Sequence, residues 1–193
     1  MLSGIAEYID VPYNKEYLLD KHNSVPGRDS KEYIECGTQS HVLKSNPDYY
    51  RQWDHLLTQM AAVHMGMCEH GTGFNFNPTV TSGVPPHIDF DEREGNQFNL
   101  LLPMFGTAKI AIYETNQHQL ESRHGMKHWK MLQDKYPAIC IGEILVDKPV
   151  LLNTAYLHDV QVAEAPRAIF CVAWRGINKS YNEFKEHVKK TLT

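Results

Sequence analysis

The chain has 193 residues, 42% of them hydrophobic and 22% charged, with a formal net charge of −4 and a pI near 6.2. That length fits one domain with a substantial core, or two very small ones, and the apolar content excludes disorder as the default state. The mild acidity and the lack of a long basic run argue against a nucleic-acid grip built on phosphate neutralisation.

Residues 1–45 are mixed in character. The stretch from Met1 to Glu7 lacks the basic start and apolar core of a secretion signal. No apolar run approaches the roughly 20 residues needed to cross a bilayer, so no membrane association is expected. A short helix is predicted around Tyr13–Lys21, followed by a polar stretch in which Pro26-Gly27 reads as a turn. The four cysteines, at 36, 68, 140 and 171, include no Cys-x-x-Cys, which argues against a zinc knot or a disulfide framework. Cys171, inside Ala168-Ile169-Phe170-Cys171-Val172, reads as a small buried hydrophobe. A reducing cytoplasm is the expected setting.

A longer helix is predicted to start at Asn46-Pro47, where Asn caps and Pro suits the first helical position. Tyr50, Trp53, Leu57, Met60, Val63 (or His64) and Met67 then recur at helical spacing until Gly71 and Gly73 stop it. His64, His70 and the methionines there fit a helix packed on a sheet, since no His-Glu-x-x-His occurs. From residue 74 the texture changes. Phe98–Met104, Ala108–Tyr113, Ala138–Val146, Val150–Thr154 and Ala168–Trp174 are short apolar, β-branched runs bounded by Gly, Pro, Asp and Asn. They predict an antiparallel sandwich or barrel, not a parallel α/β sheet. A polar insertion, 115–136, with His118, His124 and His128 and a helix near Met126–Leu132, interrupts the strands as a lid or a support. At the end Tyr181, Phe184, Val188 and Leu192 share a helical face, with Lys185, Lys189 and Lys190 mostly on the solvated side.

The chemistry concentrates in Pro85-Pro86-His87-Ile88-Asp89-Phe90 and Tyr156-Leu157-His158. In a strand, residues i and i+2 point the same way, so His87 and Asp89 can reach one ion while Ile88 packs on the opposite face. With His158 they supply two imidazoles and a carboxylate. That set suits Fe(II) and leaves about three coordination positions open. The bland reading of each residue is structural: His-x-Asp pairs arise by chance, and a strand-end His often bonds to backbone. Arg167, expected to begin the last strand after Pro166, is a fixed cation suited to a carboxylate. A salt bridge to Glu164 or Asp159 is its structural alternative, and Arg175, of the same parity, is the rival anchor.

Here the chain resembles a known family. His87-Ile88-Asp89, Phe98-Asn99-Leu100-Leu101-Leu102-Pro103, Lys148-Pro149-Val150-Leu151-Leu152-Asn153, His158-Asp159-Val160 and Pro166-Arg167 follow the order of the 2-oxoglutarate/Fe(II)-dependent dioxygenases. The likeness is greatest to the small stand-alone members of bacteria and phages and covers roughly residues 74–175. It implies a mainly β fold, with a double-stranded β-helix (jelly roll, cupin-like) core and flanking helices. On that reading 1–73 is a helical support, 74–175 the core with its insertion, and 176–193 a terminal helix of a single domain. His87, Asp89 and His158 would hold Fe(II), Arg167 the distal carboxylate of 2-oxoglutarate, and Asn99 would line the co-substrate pocket, with O2 as oxidant.

Two residues refine the expectation. The family often carries Arg-x-Ser at the anchor, whereas Ile169 stands at that third position, so a hydroxyl partner comes from elsewhere or is absent. Asp89 retains the metal carboxylate, which favours hydroxylation over halogenation. The expected substrate is a small molecule or an amino-acid or peptide side chain; its identity is not named by these residues, and a lipid-like acid or a nucleobase stays open beside them. Two other readings stay open. One is a cupin-like metalloprotein that does not use 2-oxoglutarate, although no His-x-His is present. The other is a non-catalytic binding domain with structural histidines.

Overall fold

The computed structural model describes residues 2–24, 60, 63, 72–79, 84–89, 96–114 and 139–192. The Pro26-Gly27 turn, the 115–136 insertion and the helix expected from Asn46-Pro47, apart from Met60 and Val63, lie outside those residues. In chain order the elements are β1 (Ala6–Tyr8), α1 (Lys15–Asn23), β2 (Thr72–Thr79), β3 (Val84–His87), β4 (Asn96–Glu114), β5 (Ile139–Val146), β6 (Val150–Asn153), β7 (His158–Ile177) and α2 (Tyr181–Leu192).

Two of the expected short strands are parts of much longer ones. Phe98–Met104 and Ala108–Tyr113 belong to the single 19-residue β4, and the last strand, 20 residues long, begins at His158 instead of Arg167. The reason is a shared corner. Phe105 pairs with Ala168 and Thr107 with Glu164, so β4 and β7 bend together without parting. Gly106 makes the approach feasible. It sits at φ 60, and a Cβ there would collide with the Pro166 carbonyl and stand 2.6 Å from the Glu164 oxygen. The first half of β7, His158-Asp159-Val160-Gln161-Val162-Ala163-Glu164, mixes polar and apolar residues and so contains no apolar run.

All strand pairs among the described residues are antiparallel. The order β1-β6-β4-β7-β2, with β5 added on β4 and β3 on β7, makes a seven-stranded sheet folded over at that corner. One half pairs Phe98–Pro103 of β4 with Ile169–Trp174 of β7 and adds β6, β1 and β2. The other pairs Ala108–Ile112 with His158–Val162 and adds β5 and β3. This is the jelly-roll, double-stranded β-helix architecture.

Strand alternation then builds two cores. Leu101, Ile169 and Cys171 from the first half join Ala108, Ile110, Ile112, Ile144 and Val146 from the second in one interior cluster. On the outer face of the first half, Leu100, Leu102, Phe170, Val172 and Trp174 pack under α1 and α2. Each such aromatic or aliphatic side chain contributes about 1.5–3 kcal/mol by leaving water. Trp174 also satisfies its indole by donating Nε1–H to the Met60 carbonyl at 2.8 Å.

The helices follow local rules. Asn14 caps α1 by accepting from Tyr17 N–H at 2.9 Å, close to the expected Tyr13–Lys21 span. Ser180 and Glu183 form a capping box on α2, and Tyr181, Phe184, Val188 and Leu192 are its buried face, as the periodicity predicted. Lys185 departs from its expected solvated role: its Nζ lies 2.8 Å from Glu7 Oε2 and ties α2 to β1. No helix among the described residues is long and apolar enough to cross a membrane.

Candidate metal centre

The site forms where β3 meets the start of β7. His87 and His158 stand directly opposite in the antiparallel register, so their side chains leave the same face. Their ring centroids are 4.3 Å apart at 50°. β3 ends at His87, and Asp89 lies just beyond the strand, where its backbone N–H donates to the Thr154 carbonyl at 3.1 Å. That bond returns Asp89 to the side on which His87 projects. His87 Nε2 and Asp89 Oδ1 are 3.4 Å apart, and one ligand atom from each of His87, Asp89 and His158 lies within 4.8 Å of the others.

The environment prepares these groups as ligands. His158 is 2% exposed, and its Nδ1 is 2.8 Å from the Tyr156 carbonyl. A carbonyl only accepts, so Nδ1 carries the proton and the lone pair is on Nε2. Burial, reinforced by the His87 ring, pushes the pKa of His158 down to about 4, against the opposing pull of Asp89, Tyr156 and Asp159. The imidazole is therefore neutral near pH 7, as a metal ligand must be. Asp89 is anchored from the other side: Asn99 Nδ2 donates to its Oδ2 at 3.2 Å.

The donor set fits a divalent transition metal. Bonds of about 2.1 Å set at right angles hold two ligand atoms roughly 3 Å apart, close to the separation of the His87 and Asp89 donor atoms. Two imidazoles and one carboxylate are a donor set that would hold such an ion, Fe(II) among them, and would leave coordination positions for other ligands. The neighbouring acid is excluded from the set. Asp159 points to the outer face, where it accepts from Tyr113 Oη at 2.7 Å and the Ala111 N–H at 3.3 Å. Burial, with the Asp159 bond second, holds the Tyr113 hydroxyl well above its ordinary range.

The two arginines lie on the interior face of β7 with Ile169, Cys171 and Ala173. Arg167 is 2% exposed, and burial lowers its pKa to about 10, so it stays cationic at neutral pH. Of its two expected alternative partners, Glu164 and Asp159, the latter bonds to Tyr113 and Gln161. Arg175 is half-buried, and its Nε makes no hydrogen bond among the described residues. Cys171 is buried, as expected, within the electrostatic reach of both Asp89 and Arg175. Sequence reasoning missed Gln97 and Thr154, which touch the site through backbone and amide contacts that leave no motif.

No protein-family model and no curated protein sequence matches the chain. Solved structures do. AviO1 from Streptomyces viridochromogenes Tue57 aligns at a TM-score of 0.53 and 10% identity, over 91% of each chain. EvdMO1 aligns at a TM-score of 0.53 and 11% identity, over 91% of this chain and 48% of its own. An oxalate oxidase bound to the substrate analogue glycolate aligns at a TM-score of 0.33 and 12% identity, over 56% of this chain and 43% of its own. The chain thus spans less than half the length of two of these three. The first two likenesses establish a shared fold.

Proposed function

We propose that this chain is a non-haem iron oxygenase, coupling 2-oxoglutarate decarboxylation to hydroxylation of a small molecule or of an amino-acid or peptide side chain. One observation carries the reading: His87, Asp89 and His158 bring their ligand atoms within 4.8 Å at the edge of a jelly-roll interior. A buried cation, Arg167, projects from the same interior face. Fe(II), when bound, supplies the oxidation chemistry: one O2 and one 2-oxoglutarate yield succinate, CO2 and the hydroxylated substrate.

The chain's own residues do the positioning. His87, Asp89 and His158 bind the metal from one side and leave the other for co-substrate and O2. Arg167 holds the distal carboxylate of 2-oxoglutarate, its planar fork matching two carboxylate oxygens. Asn99, beside Asp89, borders the keto-acid end. Ile169, Cys171 and Leu101 keep the interior dry, which strengthens the ionic contacts within it. Among the described residues Cys140 is an exposed free thiol, which fits the reducing cytoplasm proposed as the setting.

Anaerobic addition of Fe(II) and 2-oxoglutarate to the full chain tests the reading. A visible charge-transfer band is expected, and its absence overturns the assignment. Arg167→Ala is expected to raise the KM for 2-oxoglutarate at least tenfold; a normal KM in that variant, with a raised one in Arg175→Ala, moves the anchor to Arg175. Metal uptake without a band, and without succinate release over a panel of amino acids and metabolites, instead favours a cupin-like metalloprotein.

A further inference from the structure

Three polar side chains behind Asp89 are buried without touching its partners in the ligand set. Gln97 is 8% exposed, Asn99 7% and Thr154 0%. A buried amide or hydroxyl costs free energy unless it is hydrogen-bonded, so the connections of these three are informative. They close a ring. Thr154 accepts the Asp89 N–H through its carbonyl at 3.1 Å. Its own N–H and Oγ1 donate to the Gln97 carbonyl at 3.2 and 2.9 Å. Gln97 Nε2 donates to Asn99 Oδ1 at 3.1 Å, and Asn99 Nδ2 donates to Asp89 Oδ2 at 3.2 Å.

The direction of this ring is set by chemistry. A ligating carboxylate can only accept, so Asn99 must turn its NH2 toward Asp89. Its carbonyl oxygen then faces Gln97, which must present its own NH2. Both amide dipoles thus point their positive ends at the carboxylate, and each polarises the next. Oδ2 is occupied by Asn99, while Oδ1 is the oxygen that stands 3.4 Å from His87 Nε2.

We infer that Gln97, Asn99 and Thr154 form a positioning relay that fixes the rotamer of Asp89 and makes it a one-oxygen ligand through Oδ1. The inference rests on the metal reading above and deepens it. Thr154 sets the backbone of Asp89, Asn99 holds the far oxygen, and Gln97 fixes which way Asn99 faces. A carboxylate held in this way offers one oxygen to the ion and keeps a coordination position from being taken by the second. Partners of this kind behind a metal ligand typically govern affinity by about 10–100-fold.

The test is titration of the full chain with cobalt(II) alone, with apo melting temperature and circular dichroism as controls. Gln97→Glu has nearly the same shape but replaces the donor by an acceptor, turning the Asn99 oxygen toward Asp89. The relay predicts a Kd about tenfold weaker. Simple electrostatics predicts the reverse, because an added negative charge near a cation tightens binding. Asn99→Leu removes the donor to Oδ2 and is expected to weaken binding about 10–100-fold, and it decides the matter if Gln97→Glu does not fold. Wild-type affinity in folded variants, or tighter binding by Gln97→Glu, removes the relay and leaves the metal site standing. A wild-type chain that takes up no cobalt removes both.

Discussion

The two halves of β7 are one continuous strand used for opposite purposes. From Arg167 to Trp174 every residue is buried, with alternate side chains in the interior and under the helices. From His158 to Ala165 the outer side chains become half-buried and then exposed, and the inward residue at its start belongs to the candidate metal set. The corner at Gly106 and Pro166 separates them. Stability is concentrated in the half with two packed faces, while His158 of the candidate metal set sits in the half with one. A ligand can therefore be lost with little effect on the fold, and a core residue can be lost with little direct effect on the ligands.

Substitutions on each side of the corner test that division. Asp89→Ala at the mouth of the site is expected to reduce succinate formation to background while leaving the apo melting temperature near that of the wild type. Persistent turnover would remove Asp89 from the site. Phe170→Ala lies in the doubly packed half, where Phe170 is fully buried and its ring is 5.0 Å from Phe76. Its expected cost is about 3–5 kcal/mol by urea denaturation, with unchanged cobalt affinity in whatever fraction stays folded. A loss of less than about 1 kcal/mol would show that the outer core repacks easily. Gly106→Ala attacks the corner and is expected to affect both halves. The left-handed backbone alone costs about 1–3 kcal/mol there, before the collision with the Pro166 carbonyl is counted. A variant as stable as the wild type would mean the two strands part at the bend without penalty.

The division also explains what was legible in the sequence. Residues buried on both faces announce themselves as apolar runs, so Phe98–Met104 and Ala168–Trp174 could be placed by composition alone. His87 and Asp89 were legible through i, i+2 parity, although Asp89 owes its position to the Thr154 carbonyl and not to a continuing strand. His158 to Ala165 was not legible as strand, because one of its faces meets water and its mix of polar and apolar residues resembles a loop. Nor were the corner pairing and the Gln97–Asn99–Thr154 ring, which depend on contacts between residues far apart in the chain. β1 was missed for a related reason: Ala6-Glu7-Tyr8 is too short and mixed to signal a strand, and it becomes one only by pairing with β6.

The smallest expected effect lies outside the ligand set, where β1 is clamped to α2. Burial by itself would raise the pKa of Glu7, but the Gly4 N–H at 2.9 Å and Lys185 outweigh it and hold the carboxyl below its ordinary value. A depressed carboxyl contributes stability above its unfolded pKa, about 4.3, and that contribution is lost as pH falls through the folded value. Glu7→Gln is therefore expected to cost about 1 kcal/mol or less at pH 7, since the pair is only partly shielded from solvent. The gap between variant and wild type should close as pH falls below 4, and cobalt affinity should not change. Urea midpoints across that range provide the measurement. An equal gap at neutral and acid pH would assign the loss to packing of the Glu7 side chain and leave the ion pair with no measurable share. A change in cobalt affinity would be the more consequential result, because it would couple the terminal clamp to the metal mouth through β6 and contradict the independence of the two halves.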